Sequence, residues 1–266
     1  LDDVGAEKTS DFRTSLLFDI LESRAETKTT IITTNLNDNQ LLNNFDNIIC
    51  HNDEMKKYLI DSGIPEEKLI SLKIFDYFSV LEMQDNTSSN ALVIAGNLFP
   101  EKSPYIYKLI EHTFNYQLNL YGPYMDKNIE LGDKIKYFGS FKPDELPGKL
   151  EGKFGLVWDG DSLDTCSGNT GNYLRYNNPH KTSLYLTAGI PVIIWKEAAM
   201  AKFIKKHNAG ILVESLLEID DVINNISESD YTKLKTNAIK IGMQLRSGYY
   251  YKKALQTCLD NTNSNK

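Results

Sequence analysis

The stretch from Asn177 to Trp195, NNPHKTSLYLTAGIPVIIW, limits the fold of this chain more than any other part of the sequence. Its spacing predicts a short loop, a helix that opens at 179–181, a tight turn at Ala188–Gly189 and a buried strand from Pro191. Small residues allow the chain to turn sharply from the helix into the apolar strand. Because an open parallel sheet needs this connection, the stretch predicts an α/β fold.

The start of the same helix predicts an anion site. A helix N-terminus presents unpaired backbone N–H groups and the positive end of the helix dipole. His180 and Lys181 fall in the first turn, so this position suits a pyrophosphate. An ordinary helix and strand with a solvated lysine is the alternative interpretation of the same residues.

Composition narrows the classes of partner. The chain has 266 residues, of which 41% are hydrophobic and 24% charged, as in a globular protein with a proper core. A net charge of −7 and a pI near 5.2 argue against a general polyanion binder, so we expect no nucleic-acid partner. No apolar run reaches the length of about 18 residues that a membrane span needs, so at most peripheral membrane contact is expected.

Cysteine usage favours a reducing compartment. Cys50, Cys166 and Cys258 are too few and too scattered for a disulfide framework or a zinc cluster. We therefore expect a cytoplasmic protein. Leu1 opens the chain within a strand-like run and no signal peptide precedes it, which predicts a truncated N-terminus.

Residues 1–43 resemble the Walker B to sensor-1 part of AAA+ helicase loaders of the DnaC kind, with a strand, a helix and a strand ending in TTN. That resemblance implies magnesium ligands in the acidic strand end and a γ-phosphate contact after the second strand. The residues concerned are Asp2, Asp3, Glu7 and Asn35. However, the chain contains no G-x-x-x-x-G-K-[ST] loop to hold the phosphates. A fusion scar or a scaffold unit are the alternatives for this segment.

Four motifs along the rest of the chain follow the order of a known family. ALVIAGNL at 91–98 ends a predicted strand in a glycine turn, and FKPDEL at 141–146 joins an aromatic and a basic residue to P-D-E. NNPHK at 177–181 opens the helix described above, and LRSGYY at 245–250 lies near the end. Together they resemble the bacterial β-1,6-galactofuranosyltransferases and the related glucosyltransferases that modify serine-rich adhesins, over about 44–260.

The resemblance implies a GT-B fold, α/β with Rossmann-like parallel sheets. The N-terminal acceptor domain is expected to be incomplete and the C-terminal nucleotide-binding domain complete. The predicted limits are 1–43 for the AAA+-like segment, 44–83 for the acceptor-domain remnant, 91–240 for the nucleotide domain and 241–266 for a helix that returns to the first domain. The polar segment 84–90 reads as a linker. His51, at the end of a predicted strand, is either a site residue or an incidental polar residue.

The resemblance also implies the site residues. Lys181, with His180, would stabilise a departing UDP and is the catalytic candidate. Phe141 would stack on uracil, and its alternative role is in the core. Asp159 could contact the donor sugar, and Glu197 could accept hydrogen bonds from the ribose. The remaining candidates for binding the nucleotide sugar are Gly96, Asn97, Lys102, Tyr173 and Asn178, with a structural turn and a solvated lysine as the alternative for Asn97 and Lys102.

Asp159-Gly160-Asp161 also allows a metal interpretation, since D-x-D carboxylates bind manganese in the other large class of glycosyltransferases. The surrounding motifs belong to GT-B, where positive side chains and a helix dipole stabilise the diphosphate instead. We therefore expect no metal and no cofactor, with a UDP-sugar as substrate.

The sequence thus predicts metal-independent transfer of galactofuranose or glucose from a UDP-sugar to a hydroxyl of a glycan or glycoprotein. The relatives often assemble as oligomers, which implies a homo-oligomer. Because a general base should come from the first domain, we expect a competent nucleotide-binding half with impaired or no transfer. A fragment of an ATP-binding helicase loader and a non-catalytic nucleotide-sugar-binding protein are the two rival interpretations.

Overall fold

The computed structural model describes residues 45–85 and 89–264. Its residues fall into two compact units, the first ending at Leu72 and resuming at Lys253, and the second comprising Lys73–Lys252. The four residues singled out in the AAA+-like segment lie outside the described residues. The domain limits expected from the sequence motifs stay predictions.

The first unit contains a small parallel sheet. Strand β1, Ile48–Cys50, pairs directly with β2, Leu69–Ser71. Helix α1, Asp53–Asp61, and a 3₁₀ turn at Glu66–Lys68 connect the two strands. Asn52 caps the helix, because its side-chain oxygen accepts the Met55 N–H at 2.9 Å. His51 is buried at the end of β1. The core of this unit consists of Ile48, Cys50, Met55, Leu59, Ile64 and Leu69.

The second unit is built on a six-stranded parallel sheet. In sheet order the strands are β5-β4-β3-β6-β7-β8. The first strand of this sheet, β3, lies in its middle, and β4 and β5 follow on one side. The chain then crosses to the other side of β3, where β6, β7 and β8 are added in turn. The topological switch point therefore lies between β3 and β6. The strands are β3 Ala91–Ala95, β4 Gln117–Tyr121, β5 Ile135–Tyr137, β6 Phe154–Val157, β7 Val192–Trp195 and β8 Gly210–Val213.

Helices connect and cover these strands. A parallel sheet buried on both faces needs continuous apolar strands, and every residue of β3, β6 and β7 is buried. Together with the comparisons reported below, this confirms the predicted Rossmann-like α/β fold. The helices are α2 Pro104–Glu111, α3 Gly168–Tyr173, α4 His180–Thr187, α5 Ala199–His207, α6 Ile219–Asn225 and α7 Glu228–Arg246, with 3₁₀ turns at Leu146–Lys149 and Leu216–Glu218. The last helix, α8 Tyr249–Ser264, begins in this unit and continues in the first.

Two local features were not predicted from the sequence, and one prediction, a single helix over 241–266, differs from the structure. The polar segment 162–176 contains the short helix α3. Helix α5 is capped by Asn208, which takes the left-handed conformation with φ 47° before β8 begins at Gly210. The last helical segment is divided into α7 and α8 at Gly248, whose φ of 70° interrupts a right-handed helix. Among the helices described, none is both long and apolar enough to cross a bilayer.

Candidate functional site

Lys181 lies at the topological switch point. It stands in the first turn of α4, and its ammonium donates to the carbonyl of Trp158 at 3.0 Å and to the Asp159 carboxylate at 2.7 Å. Asp159 follows the end of β6, while Gly96 follows the end of β3. A Cβ atom on Gly96 would lie 3.5 Å from Lys181 Cε. The fold therefore brings Gly96, Asp159 and Lys181 together from three separate segments, where open α/β sheets bind ligands.

The ion pair between Lys181 and Asp159 is largely shielded from solvent. The two side chains are 19% and 23% exposed. Burial lowers the pKa of Lys181, but the charge and hydrogen bond of Asp159 outweigh it, so the pKa is raised above its ordinary value of 10.5. Lys181 is consequently a cation at neutral pH.

Tyr185 fixes the helix that carries Lys181. It lies one turn further along α4 and therefore on the same face. Its hydroxyl accepts the backbone N–H of Ala95 at 2.8 Å, at the last residue of β3. Gly155 makes room for the ring, since a Cβ there would lie 2.1 Å from it. Tyr185 thus packs onto β6 and hydrogen-bonds to β3, the two strands between which the switch point lies.

Two glycines allow the strand ends beside Lys181 to approach each other. Gly96 has φ 149° and Gly122, after β4, has φ 140°. A Cβ on Gly122 would lie only 1.7 Å from the carbonyl oxygen of Gly96, so no other residue fits there without a backbone shift. Asn97 continues the turn, its side chain accepting the Phe99 N–H at 2.9 Å. Lys102 is exposed just before α2.

Phe141 lies beyond the ends of β4 and β5. Its ring is half-buried and tilted against that of Tyr121, with centroids 6.2 Å apart. Tyr121 in turn stacks on Phe138 at 4.6 Å. Phe141 is thus packed on one side and partly exposed, an arrangement that fits either role expected from the sequence.

His180 points to a different neighbour from Lys181. Its ring stacks on Phe75 with centroids 4.8 Å apart and an angle of 9° between the planes. The backbone carbonyl of Phe75 also accepts the Ser183 hydroxyl at 2.6 Å, so the segment around Phe75 lies along α4. Consecutive helical residues project about 100° apart, which explains why the two candidates diverge. The role of His180 stays a prediction.

The remaining candidates border the same end of the sheet. Tyr173 is held in α3 with a buried hydroxyl, and burial raises its pKa to about 12. Asn178 is buried in the loop before α4. Glu197, just after β7, forms an exposed ion pair with Arg175, whose guanidinium lies 4.5 Å from the centre of the Trp195 ring. Glu197 therefore has an ion-pair partner within the chain.

Three buried residues next to Lys181 were not singled out from the sequence. Tyr105 is fully buried, with its ring centroid 5.9 Å from Lys181 Nζ. Cys166 is buried as well, and burial raises the pKa of its thiol to about 12. Tyr185 is the third. The spacing from Lys181 to Tyr185 was a usable signal, whereas the two others approach Lys181 only through the tertiary fold.

The two aspartates of the D-G-D motif have separate partners. Asp159 pairs with Lys181, and the exposed Asp161 accepts a hydrogen bond from the Ser167 hydroxyl. Within residues 45–85 and 89–264, no group of three or more His, Cys, Asp or Glu side chains could hold a metal ion. The expectation of metal-independent chemistry stays a prediction.

Two family models match the chain. The model described as "Glucosyltransferase 3-like, C-terminal domain" matches residues 92–258, more than half of the chain. The model described as "Glucosyltransferase 3-like, N-terminal domain" matches residues 17–74. The second match begins inside the segment that was compared with helicase loaders. Neither the models nor the relatives support an AAA+ chimera or the loader alternative.

Curated relatives agree with the models. The chain is 40% identical over 223 residues to the β-1,6-galactofuranosyltransferase WbbI of Escherichia coli, covering 81% of this chain and 64% of that protein. It is 27% identical over 216 residues to glucosyltransferase 3 of Streptococcus gordonii, covering 81% and 62%. The chain thus spans less than two thirds of the length of these relatives.

Solved structures share the fold at low identity. HepE of Anabaena, in complex with UDP and glucose, aligns with a TM-score of 0.58 at 13% identity, covering 85% of this chain and 66% of that one. This likeness concerns the fold alone, and it agrees with the predicted GT-B type. The family models and the curated relatives carry the assignment: this chain belongs to the glucosyltransferase 3-like family.

Proposed function

We propose that this chain binds a UDP-sugar and belongs to an enzyme that transfers the sugar to a hydroxyl of a glycan or glycoprotein. One observation carries the proposal: a shielded, permanently charged Lys181 stands in the first turn of α4 at the topological switch point. There the ammonium and the helix N-terminus act on the same small volume. The diphosphate of a UDP-sugar is the negatively charged group that the ammonium and the helix N-terminus would bind together.

In this proposal Lys181 stabilises the negative charge that develops on UDP as the glycosidic bond breaks. The glycine turn at Gly96 lets the backbone approach the phosphates, and Lys102 supplies a second positive charge from the start of α2. Phe141 offers its exposed face to the uracil ring, which is worth roughly 1–3 kcal/mol for a stacked base. Glu197 accepts hydrogen bonds from the ribose hydroxyls once its ion pair with Arg175 is broken.

Galactofuranose and glucose are the sugars we propose, since the relatives are named as a galactofuranosyltransferase and a glucosyltransferase. In this proposal the N-terminal domain binds the acceptor and supplies the general base for its hydroxyl, as expected from the sequence. We propose a cytoplasmic location, which suits three cysteines that are all buried as thiols. Assembly as a homo-oligomer and peripheral membrane contact stay predictions.

Calorimetric titration with UDP tests this proposal. Wild-type chain should bind UDP without added metal, and Lys181→Ala should weaken binding by about tenfold to a hundredfold, the range for hydrogen bonds to charged groups. Lys149→Ala removes an exposed lysine elsewhere in the same unit and should leave the affinity unchanged. Binding of ATP with magnesium but not of UDP would refute the proposal.

A transfer assay with UDP-galactofuranose and UDP-glucose separates an enzyme from a non-catalytic binding protein. We expect slow or no transfer from this chain, because the general base should come from the first domain, and any transfer should survive chelation with EDTA. Detectable transfer would exclude the non-catalytic binding protein, and loss of that transfer in EDTA would contradict metal independence.

A further inference from the structure

Tyr105, in the first turn of α2, carries a buried hydroxyl close to Lys181. The residue is 0% exposed, and no hydrogen-bond partner for its hydroxyl exists among the residues that the structure describes. Leaving such a group unpaired in a protein interior destabilises the fold. Burial, and then the negative charge of Asp159, raise the pKa of Tyr105 well above its ordinary value of 10.0. The hydroxyl is therefore a proton donor throughout the physiological range.

The neighbours of Tyr105 are the groups that must rearrange when a diphosphate binds. Lys181 Nζ lies 5.9 Å from the Tyr105 ring centroid and is bound to Asp159 at 2.7 Å. A diphosphate carries more negative charge than one carboxylate, so it competes with Asp159 for the ammonium. Once Lys181 turns to the ligand, the Asp159 carboxylate loses its cation in a site that the ligand has covered. An uncompensated carboxylate is costly there unless another donor replaces the lysine.

We propose that Tyr105 is a positioning residue whose hydroxyl replaces Lys181 as the hydrogen-bond donor to Asp159 when the diphosphate of the donor is bound. The unpaired hydroxyl thus lowers the stability of the protein by itself and raises its affinity for the donor. Cys166, protonated beside the same carboxylate, offers a weaker second donor. This inference rests on the proposed function, because UDP is the ligand that draws Lys181 away.

The proposal predicts opposite effects of one substitution on stability and on binding. Tyr105→Phe removes only the hydroxyl, so the midpoint of thermal unfolding should stay equal or rise by a few degrees, about 2–4 °C for a chain of this size. The affinity for UDP should fall by about tenfold or more, as for a lost hydrogen bond to a charged group. A clear fall in the midpoint of this variant would overturn the proposal.

Tyr231→Phe is the matched control. Tyr231 is also buried, but its hydroxyl donates to the carbonyl of Lys153 at 3.1 Å, just before β6 begins. Asp159 and Lys181 lie beyond the other end of that strand. Its loss should lower the unfolding midpoint and leave UDP affinity unchanged. Tyr105→Phe should therefore weaken UDP binding without lowering the unfolding midpoint, and Tyr231→Phe should lower the midpoint without weakening UDP binding.

A double-mutant cycle with Asp159→Asn decides how Tyr105 acts. The amide is uncharged, so losing its donor costs less, and the additional effect of Tyr105→Phe on UDP affinity should shrink to within about twofold in that background. An equal loss in both backgrounds means that the hydroxyl contacts the ligand directly, and this result contradicts the exchange. The exchange is also contradicted if Tyr105→Phe alone leaves the affinity for UDP unchanged. Failure of the wild-type chain to bind UDP refutes the proposed function itself.

Discussion

At the scale of single residues, the site depends on the pairing of Lys181 with Asp159. The carboxylate keeps the lysine charged in a shielded position where burial alone lowers the pKa. A folded-state pKa above the ordinary 10.5 means that this pairing contributes fully below that value and is lost only as pH rises through the raised pKa. The ammonium therefore stays available to a phosphate at every physiological pH.

Asp159→Asn should make UDP binding sensitive to alkaline pH. Without the carboxylate, burial dominates and the pKa of Lys181 drops, so the cation is lost at lower pH than in the wild type. Titrations from about pH 7 to pH 10 should show affinity falling in the variant before it falls in the wild type. Asp161→Asn, which removes the exposed carboxylate of the same motif, should follow the wild-type profile. Parallel profiles for all three proteins would contradict the role given to Asp159.

At the scale of elements, helix α4 is held along its whole length. Lys181 bonds to the end of β6 near its start, and Tyr185 bonds to the end of β3 in its middle. Arg246 of α7 donates to the carbonyl of Thr187, the last residue of the helix, at 2.9 Å and 3.0 Å. A cation there also suits the negative end of the helix dipole. The orientation of Lys181 is consequently a property of the packed helix.

Tyr185→Phe should destabilise the second unit. The substitution leaves the buried N–H of Ala95 without its acceptor, and an unpaired buried donor costs about 1–3 kcal/mol. Urea denaturation should report this loss in the free energy of unfolding. Tyr137→Phe is the control, because that hydroxyl donates to the Gly122 carbonyl from a side chain that is 42% exposed and water can replace it. Equal stability of the two variants would argue against the bond from Tyr185 to β3.

At the scale of the whole molecule, the site is assembled from distant parts of the chain. Gly96 and Asp159 follow two different strands and Lys181 lies in α4, and the crossover between β3 and β6 brings the three together. The three cysteines are spread over both units, at 2%, 2% and 3% exposure. The packing of both units can therefore be followed through their thiols.

A thiol titration should show the closure of both units. We expect Ellman's reagent to modify fewer than about one thiol per native chain, and all three cysteines in concentrated guanidinium, because burial protects Cys50, Cys166 and Cys258. Removal of reductant should leave UDP binding unchanged. Rapid reaction of a thiol in the native chain would contradict the burial described for the cysteine that is modified.

Much of the α/β pattern was accessible from the sequence. Apolar runs such as 91–95 and 192–195 predict buried strands from composition alone, and the helix between Pro179 and Gly189 follows from local spacing. The family follows from motifs in the right order. The short helix α3 was missed because its segment, GNTGNY, has weak helix propensity and depends on tertiary contacts.

The sequence by itself determined the parallel α/β fold and the family, and it identified Lys181 as a candidate site residue, because periodicity and motifs are local properties of the chain. Only the tertiary structure decided that Lys181 pairs with Asp159, that His180 stacks on Phe75 instead, and that Tyr105 and Cys166 lie beside them. These contacts join residues far apart in the chain. They exist only once the strand order places the ends of β3 and β6 side by side.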